Sequence, residues 1–167
     1  MKRLTIAITA MLFVCFLNEC AAQDTKAPYV AAYTSSFKMG NPAYANKVLD
    51  LWKDWDDNQF DRHDYFADTL TVWLPDGSVT RGKAANLEGA KKYRGSMTSS
   101  KSTIHAWVPL HSTDTNDDIV CIWGTEVDTF ADGKMETKEL HEVWWFNKEG
   151  KASMMRQWNS KFGELPK

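Results

Sequence analysis

The second half of the chain constrains its fold most. Residues 103–111, 118–130, 134–147 and 151–160 alternate in character with the period of two expected of half-buried strands. The intervening segments, residues 114–117, Ala131-Asp132-Gly133 and Lys148-Glu149-Gly150, are short and turn-rich, so consecutive strands should pair antiparallel. Such a meander has one face to bury. In its last hairpin Leu140, Glu142, Trp144 and Phe146 share a face that is apolar but for one acid, while Thr137, Glu139, His141, Val143, Trp145 and Asn147 share the other. A carboxyl on an otherwise apolar face marks a place where binding or proton chemistry could occur.

The first half supplies the cover. Pro42 follows Asn41 as a helix start, and Val48, Leu51, Trp52 and Trp55 recur at helical spacing, predicting a helix over residues 42–57. A short second helix is expected over residues 61–67, then a strand over 70–74 closed by Pro75-Asp76-Gly77. Ala84, Leu87, Ala90 and Tyr93 or Arg94 indicate a third helix from residue 82 to about 97. Helices followed by a meander predict an α+β domain in which three N-terminal helices pack on one face of a strongly curved antiparallel sheet.

Residues 1–22 read as a secretory signal, with Lys2 and Arg3 before the apolar run from Leu4 to Leu17, and Cys20-Ala21-Ala22 as the cleavage site. That run is too short to span a bilayer of about 30 Å, so export to the periplasm or medium is expected, without membrane insertion. Asn18 and Glu19 stand where a lipoprotein signal carries small residues, which argues against a lipid on Cys20. Cleavage would leave Cys121 alone and exclude an internal disulfide. Residues 23–41 then form an N-terminal arm, and residues 42–163 one domain. The formal net charge of −2 gives no footprint for nucleic acid.

Motifs exclude several chemistries. The chain has no GxGxxG, GxxxxGK[ST] or GxSxG segment, so neither a nucleotide cofactor nor a serine nucleophile is expected. His63, His105, His111 and His141 lie in different segments or too far apart along one strand for a shared metal, and no cofactor is assigned.

The segments Tyr65-Phe66-Ala67-Asp68, Thr71-Val72-Trp73-Leu74-Pro75 and Arg81-Gly82-Lys83, followed by the run from Glu142 to Lys151, resemble the nuclear transport factor 2-like, or SnoaL-like, superfamily across nearly the whole mature chain. The resemblance implies a cone-like fold with a deep pocket, often in homodimers. The ketosteroid isomerases of this fold pair a carboxylate base with a tyrosine and a neutral acid. Glu142 matches the position of their neutral acid, but Leu74 stands where the base should be, and residues 48–55 offer no tyrosine. The likeness therefore does not extend to that mechanism.

In the register the resemblance implies, Met155, Gln157 and Asn159 point inward beside Glu142, Trp144 and Phe146. Trp123, Thr125 and Val127 are expected to complete a binding surface for a small apolar ligand with a few polar handles. An alternative is a cyclase- or isomerase-like enzyme acting on an aromatic or polyketide-like substrate, with Glu142 as general acid or base and His63 as the second titratable group. The outer sheet face, with His141, Val143 and Trp145, is expected to form a homodimer interface, and a third, non-ligand reading makes that association the function and the pocket a vestige filled by side chains.

Overall fold

The computed structural model describes residues 27–161, so the expected signal at residues 1–22 lies outside the described residues. The described residues fall in two units, residues 27–32 and 33–161. The first forms no helix or strand and is exposed.

In the second unit β1 (Phe37–Met39) precedes α1 (Pro42–Asp57), whose span is the one the apolar spacing predicts. Asn41 caps the helix by accepting a 2.9 Å hydrogen bond from the Ala43 amide, and Pro42 occupies the first turn, where no amide is missed. Asn58, at φ 55°, ends it in the left-handed region that asparagine tolerates. β2 (Phe66–Trp73), β3 (Val79–Arg81), α2 (Lys83–Arg94), β4 (Met97–Ser112), β5 (Asp118–Phe130), β6 (Met135–Phe146) and β7 (Ala152–Lys161) follow.

There is no helix over residues 61–67. Beyond Asn58 the chain makes hydrogen-bonded turns, Gln59 N donating to Asp54 O and Arg62 N to Gln59 O, and is extended from Phe66. Arg62 and His63 both reach back to Asp54, which ties this segment to the end of α1 and leaves it no helical ladder of its own. The described unit thus has two helices where three are expected. β1 lies in the stretch expected to be an arm, yet it pairs with β4 through Phe37–Ser112, Lys38–His111 and Met39–Leu110.

The seven strands form one sheet in the order β1-β4-β5-β6-β7-β2-β3. The meander pairs antiparallel as expected, whereas β2 joins β7 in parallel, with an irregularity between Phe66 and Thr71. Irregularities also interrupt the β4–β5 ladder at Met97/Ser99 and Ile104/Ala106, places where a bulge increases local bend and twist. α1 packs on β4 and β5, and α2 on β2. The core between helix and sheet holds Val48, Leu51, Trp52, Leu70, Val120 and Ile122.

Two details set how closely the helices sit. A side chain at Gly124 would bring a Cβ within 2.7 Å of the Trp52 ring and 2.8 Å of Thr103 O, so glycine there lets the indole lie directly on β5. At the far end Arg94 is buried, and its guanidinium donates to Trp55 O and Asp56 O at 2.9 Å, binding the last turn of α1 to the last residue of α2.

Candidate functional site

The concave face of the sheet and the two helices enclose a cavity of about 600 Å³. Its apolar wall includes Leu51, Phe66, Leu70, Val72, Trp144 and Met155, and Leu74 and Pro75 border it from the β2–β3 turn.

Glu142 of β6 is buried beside this space and accepts three hydrogen bonds. Trp52 Nε1 and Trp144 Nε1 donate to its Oε2 at 2.7 and 2.9 Å, and Gln157 Nε2 donates to Oε1 at 2.8 Å. Burial pushes this carboxyl up from its ordinary range, against the three donors that favour its ionised form. Indole N–H groups can only donate, so both tryptophans hold an acceptor. Of the three partners only the Gln157 amide, turned to present its Oε1, could instead accept a hydrogen bond from a neutral Glu142.

A second group of charges stands four residues back along β6. Lys138 Nζ lies 2.8 Å from Asp128 Oδ2, 3.1 Å from the Tyr93 hydroxyl and 3.7 Å from Glu126 Oε1. Asp128 is fully buried and also accepts from Ser100 Oγ at 2.7 Å, while Ser100 Oγ accepts from Trp55 Nε1 at 3.0 Å. Burial, then repulsion from Asp128, pushes Glu126 up to about 8, and the Lys138 charge only partly opposes the rise. With Cα positions advancing ~3.3 Å per residue, Glu142 and Lys138 are roughly 13 Å apart along the strand, with Leu140 between them.

The expected site residues divide. Glu142, Trp144, Met155, Gln157 and Asn159 border the cavity; Phe146 does not, being packed in the core against Tyr44 with ring centroids 4.4 Å apart. Trp123, Thr125 and Val127 correct the expected facing of β5. The bond from Phe130 N to Lys134 O across the Ala131-Asp132-Gly133 turn sets a register in which Ile122 lies opposite Glu142, and Trp123 opposite His141. Opposed residues share a face. Trp123 therefore stacks on His141 at 4.9 Å on the outer side, Thr125 Oγ1 lies 2.9 Å from His105 Nε2, and Val127 pairs with Thr137. His63 also lies off the cavity lining: its Nδ1 is 2.7 Å from Asp54 Oδ2 and its ring stacks on Tyr65, although Asp54 itself borders the cavity.

The same turn-based count would have found Glu126, since it places that residue opposite Lys138 and on the Glu142 face. Trp52 gave no such signal, because a helical tryptophan on an apolar stripe reads as core.

No family model matches the chain, and no curated protein matches it. Solved structures do. An NTF2-like protein of unknown function from an Exiguobacterium species superposes with a TM-score of 0.56 at 20% identity, covering 71% of this chain and 99% of its own. The fold is NTF2-like. An LEH-like epoxide hydrolase from M. tuberculosis superposes at 15% identity with a TM-score of 0.56, covering 71% of this chain and 84% of that one. TerC, co-crystallised with polyporic acid, matches at 15% identity and a TM-score of 0.54, over 68% and 88% of the two chains. Among the described residues no helix is long and apolar enough to cross a membrane, and no group of three or more His, Cys, Asp and Glu side chains could hold a metal ion.

Proposed function

We propose that this chain is an exported small-molecule-binding domain whose ligand occupies the NTF2-like cavity. The observation that carries the reading is an interior space of about 600 Å³ with aromatic and aliphatic walls and a carboxyl fixed by three N–H donors at its base. Spaces of this size and lining suit compact, mostly apolar molecules oriented by a few polar groups. Export rests on the leader-like residues 1–22, and cleavage there would give a mature protein beginning at Gln23.

Native mass spectrometry of protein purified from its own host tests the reading. A bound small molecule that is lost from a Trp144→Ala variant supports it. Unchanged ligand retention in both Trp144→Ala and Glu142→Gln removes its basis.

Catalysis is a second reading, favoured by Glu126. A cavity-lining carboxyl pushed up to about 8 can both hold and release a proton near neutral pH, as acid–base catalysis requires. Turnover of a candidate substrate by the native protein, abolished in Glu126→Gln, would separate enzyme from binder.

Homodimerisation through the outer sheet face belongs to the same proposal. There Trp123, His141 and Trp158 stack across three adjacent strands with centroids 4.9 and 5.4 Å apart, and both indoles remain more than a third exposed. Light scattering should give a dimer mass for the native protein and a monomer mass for Trp158→Glu; a monomeric native protein excludes this interface.

A further inference from the structure

The cavity's charges do not balance. Asp54, Asp76, Glu126 and Glu142 border it, against Lys138 as the one cation among the lining residues. Asp54 is matched by Arg62 at 3.2 Å and His63 at 2.7 Å, although its buried Oδ1 makes no hydrogen bond among the described residues. Asp76 sits in an exposed turn and accepts from Ser78 N. Lys138 is engaged by Asp128 and Tyr93, and Glu142 has its three donors.

Glu126 is the acid left over. It is more than nine-tenths buried, it borders the cavity, and its partners are Asp128, with which it shares a proton, and Lys138, a cation it divides with that same acid. The nearest positive atom, Lys138 Nζ at 3.7 Å, lies closer to Asp128. With both acids ionised the pair is one cation short, a shortfall that a proton on Glu126 makes good when no ligand is bound. The rings of Trp55 and Tyr93, 6.1 Å apart, border the cavity at the same end, and Phe60 meets Trp55 edge-on at 5.7 Å. Aromatic faces attract cations and give anions nothing.

We propose that the ligand of this cavity carries an amine, bound as an ammonium ion against Glu126 beside Trp55 and Tyr93, with an apolar body extending toward Trp144. This names the ligand class for the binding function proposed above and rests on that reading. An anionic ligand would add a further negative charge to an already acidic space, and a neutral one would leave Glu126 and Asp128 with one lysine between two acids. The groups acting on Glu126 are Asp128 on its own strand, Lys138 and Glu142 on β6, Tyr93 on α2 and Asp54 on α1. Because the empty site holds Glu126 partly protonated near neutral pH, ammonium binding displaces that proton to solvent.

Isothermal titration calorimetry with three probes of one shape, 2-(aminomethyl)naphthalene, 2-(hydroxymethyl)naphthalene and 2-naphthoic acid, tests this. Comparison of buffers with different ionisation enthalpies counts the protons exchanged. At pH 7 the amine should bind about tenfold or more tighter than the alcohol, the acid weakest, and amine binding should release close to one proton. In Glu126→Gln, nearly the same shape, the alcohol should bind as before while the amine's advantage and the proton release disappear. In the native protein alone, amine affinity should rise between pH 6 and 9 and alcohol affinity should not. An alcohol that binds without any amine preference, or a preference that survives in Glu126→Gln, overturns the ammonium site and leaves the cavity reading standing. Failure of all three probes to bind overturns both.

Discussion

Glu142 and Glu126 are buried glutamates on one concave face, reached from neighbouring strands, and they stand in opposite situations. Glu142 is enclosed by three N–H donors and no cation; Glu126 has no such donor, and a lysine it must share with Asp128. Burial raises both, so burial does not distinguish them. What differs is preorganisation. The surroundings of Glu142 are built to hold a carboxyl in place, whereas those of Glu126 are built around Lys138 and Asp128 and leave one carboxyl over. The first is a structural element of the cavity floor, and the second a group with something still to bind.

Four substitutions or conditions would break or sharpen that contrast. The largest effect is expected from Glu142→Ala, which strands two indole N–H groups and an amide in the interior and opens a void. We expect a loss of about 3–5 kcal/mol in urea unfolding, while Glu126→Ala should cost less than about 1 kcal/mol at pH 7 because it also removes a carboxyl that burial forces to keep its proton. Equal losses would erase the distinction.

Next comes pH. Glu126 stands at about 8 in the folded chain against an ordinary value of 4.5, so the folded state keeps a proton that the unfolded state releases. Its contribution is full below 4.5 and lost as pH rises through about 8, and unfolding free energy should fall across that window by on the order of 1.4 kcal/mol per unit at most. Glu126→Gln should flatten that slope, and an unchanged slope would assign it elsewhere.

Gly124→Ala comes third. Its Cβ would press on the Trp52 ring and on backbone, costing roughly 1–3 kcal/mol and loosening the Trp52–Glu142 bond, which should appear as a changed indole N–H resonance. The smallest effect is Trp52→Phe, removing one donor of three, at about 1–2 kcal/mol. A cost as large as that of Glu142→Ala would mean that the indole's packing, not its bond, is what matters.

The elements were largely legible in the chain and their mutual facing was not. Periodicity and caps gave α1 and β5 their spans because these signals are local: Asn41 and Pro42 at one end, Asn58 at the other, and turns at both ends of the strand. The expected helix over 61–67 failed for a nonlocal reason, since Arg62 and His63 are held by Asp54 on the preceding helix. β1 and β3 are three residues each, too short to show a period. The parallel pairing of β2 with β7 joins segments far apart in the chain, which no turn announces. Trp123 shows the remaining difficulty most sharply. A large aromatic invites an inward assignment, and a one-residue change of parity moves every side chain of a strand to the other face. Glu126 was missed through the same step, although the turn at Gly133 carried enough information to place it.

The hold on α2 also bears on how fast a ligand could come and go. Near its start, Asn86 Nδ2 donates to Gly82 O at 2.8 Å, Leu70 O at 3.2 Å and Thr80 O at 3.3 Å; at its end Arg94 grips the carbonyls of α1. A helix stitched at both ends is held against swinging, so exchange falls to exposed rim side chains such as Leu74, whose rotamers turn over in nanoseconds or less. Binding should therefore run at the pace of encounter, with residence time, rather than a slow opening step, setting the affinity.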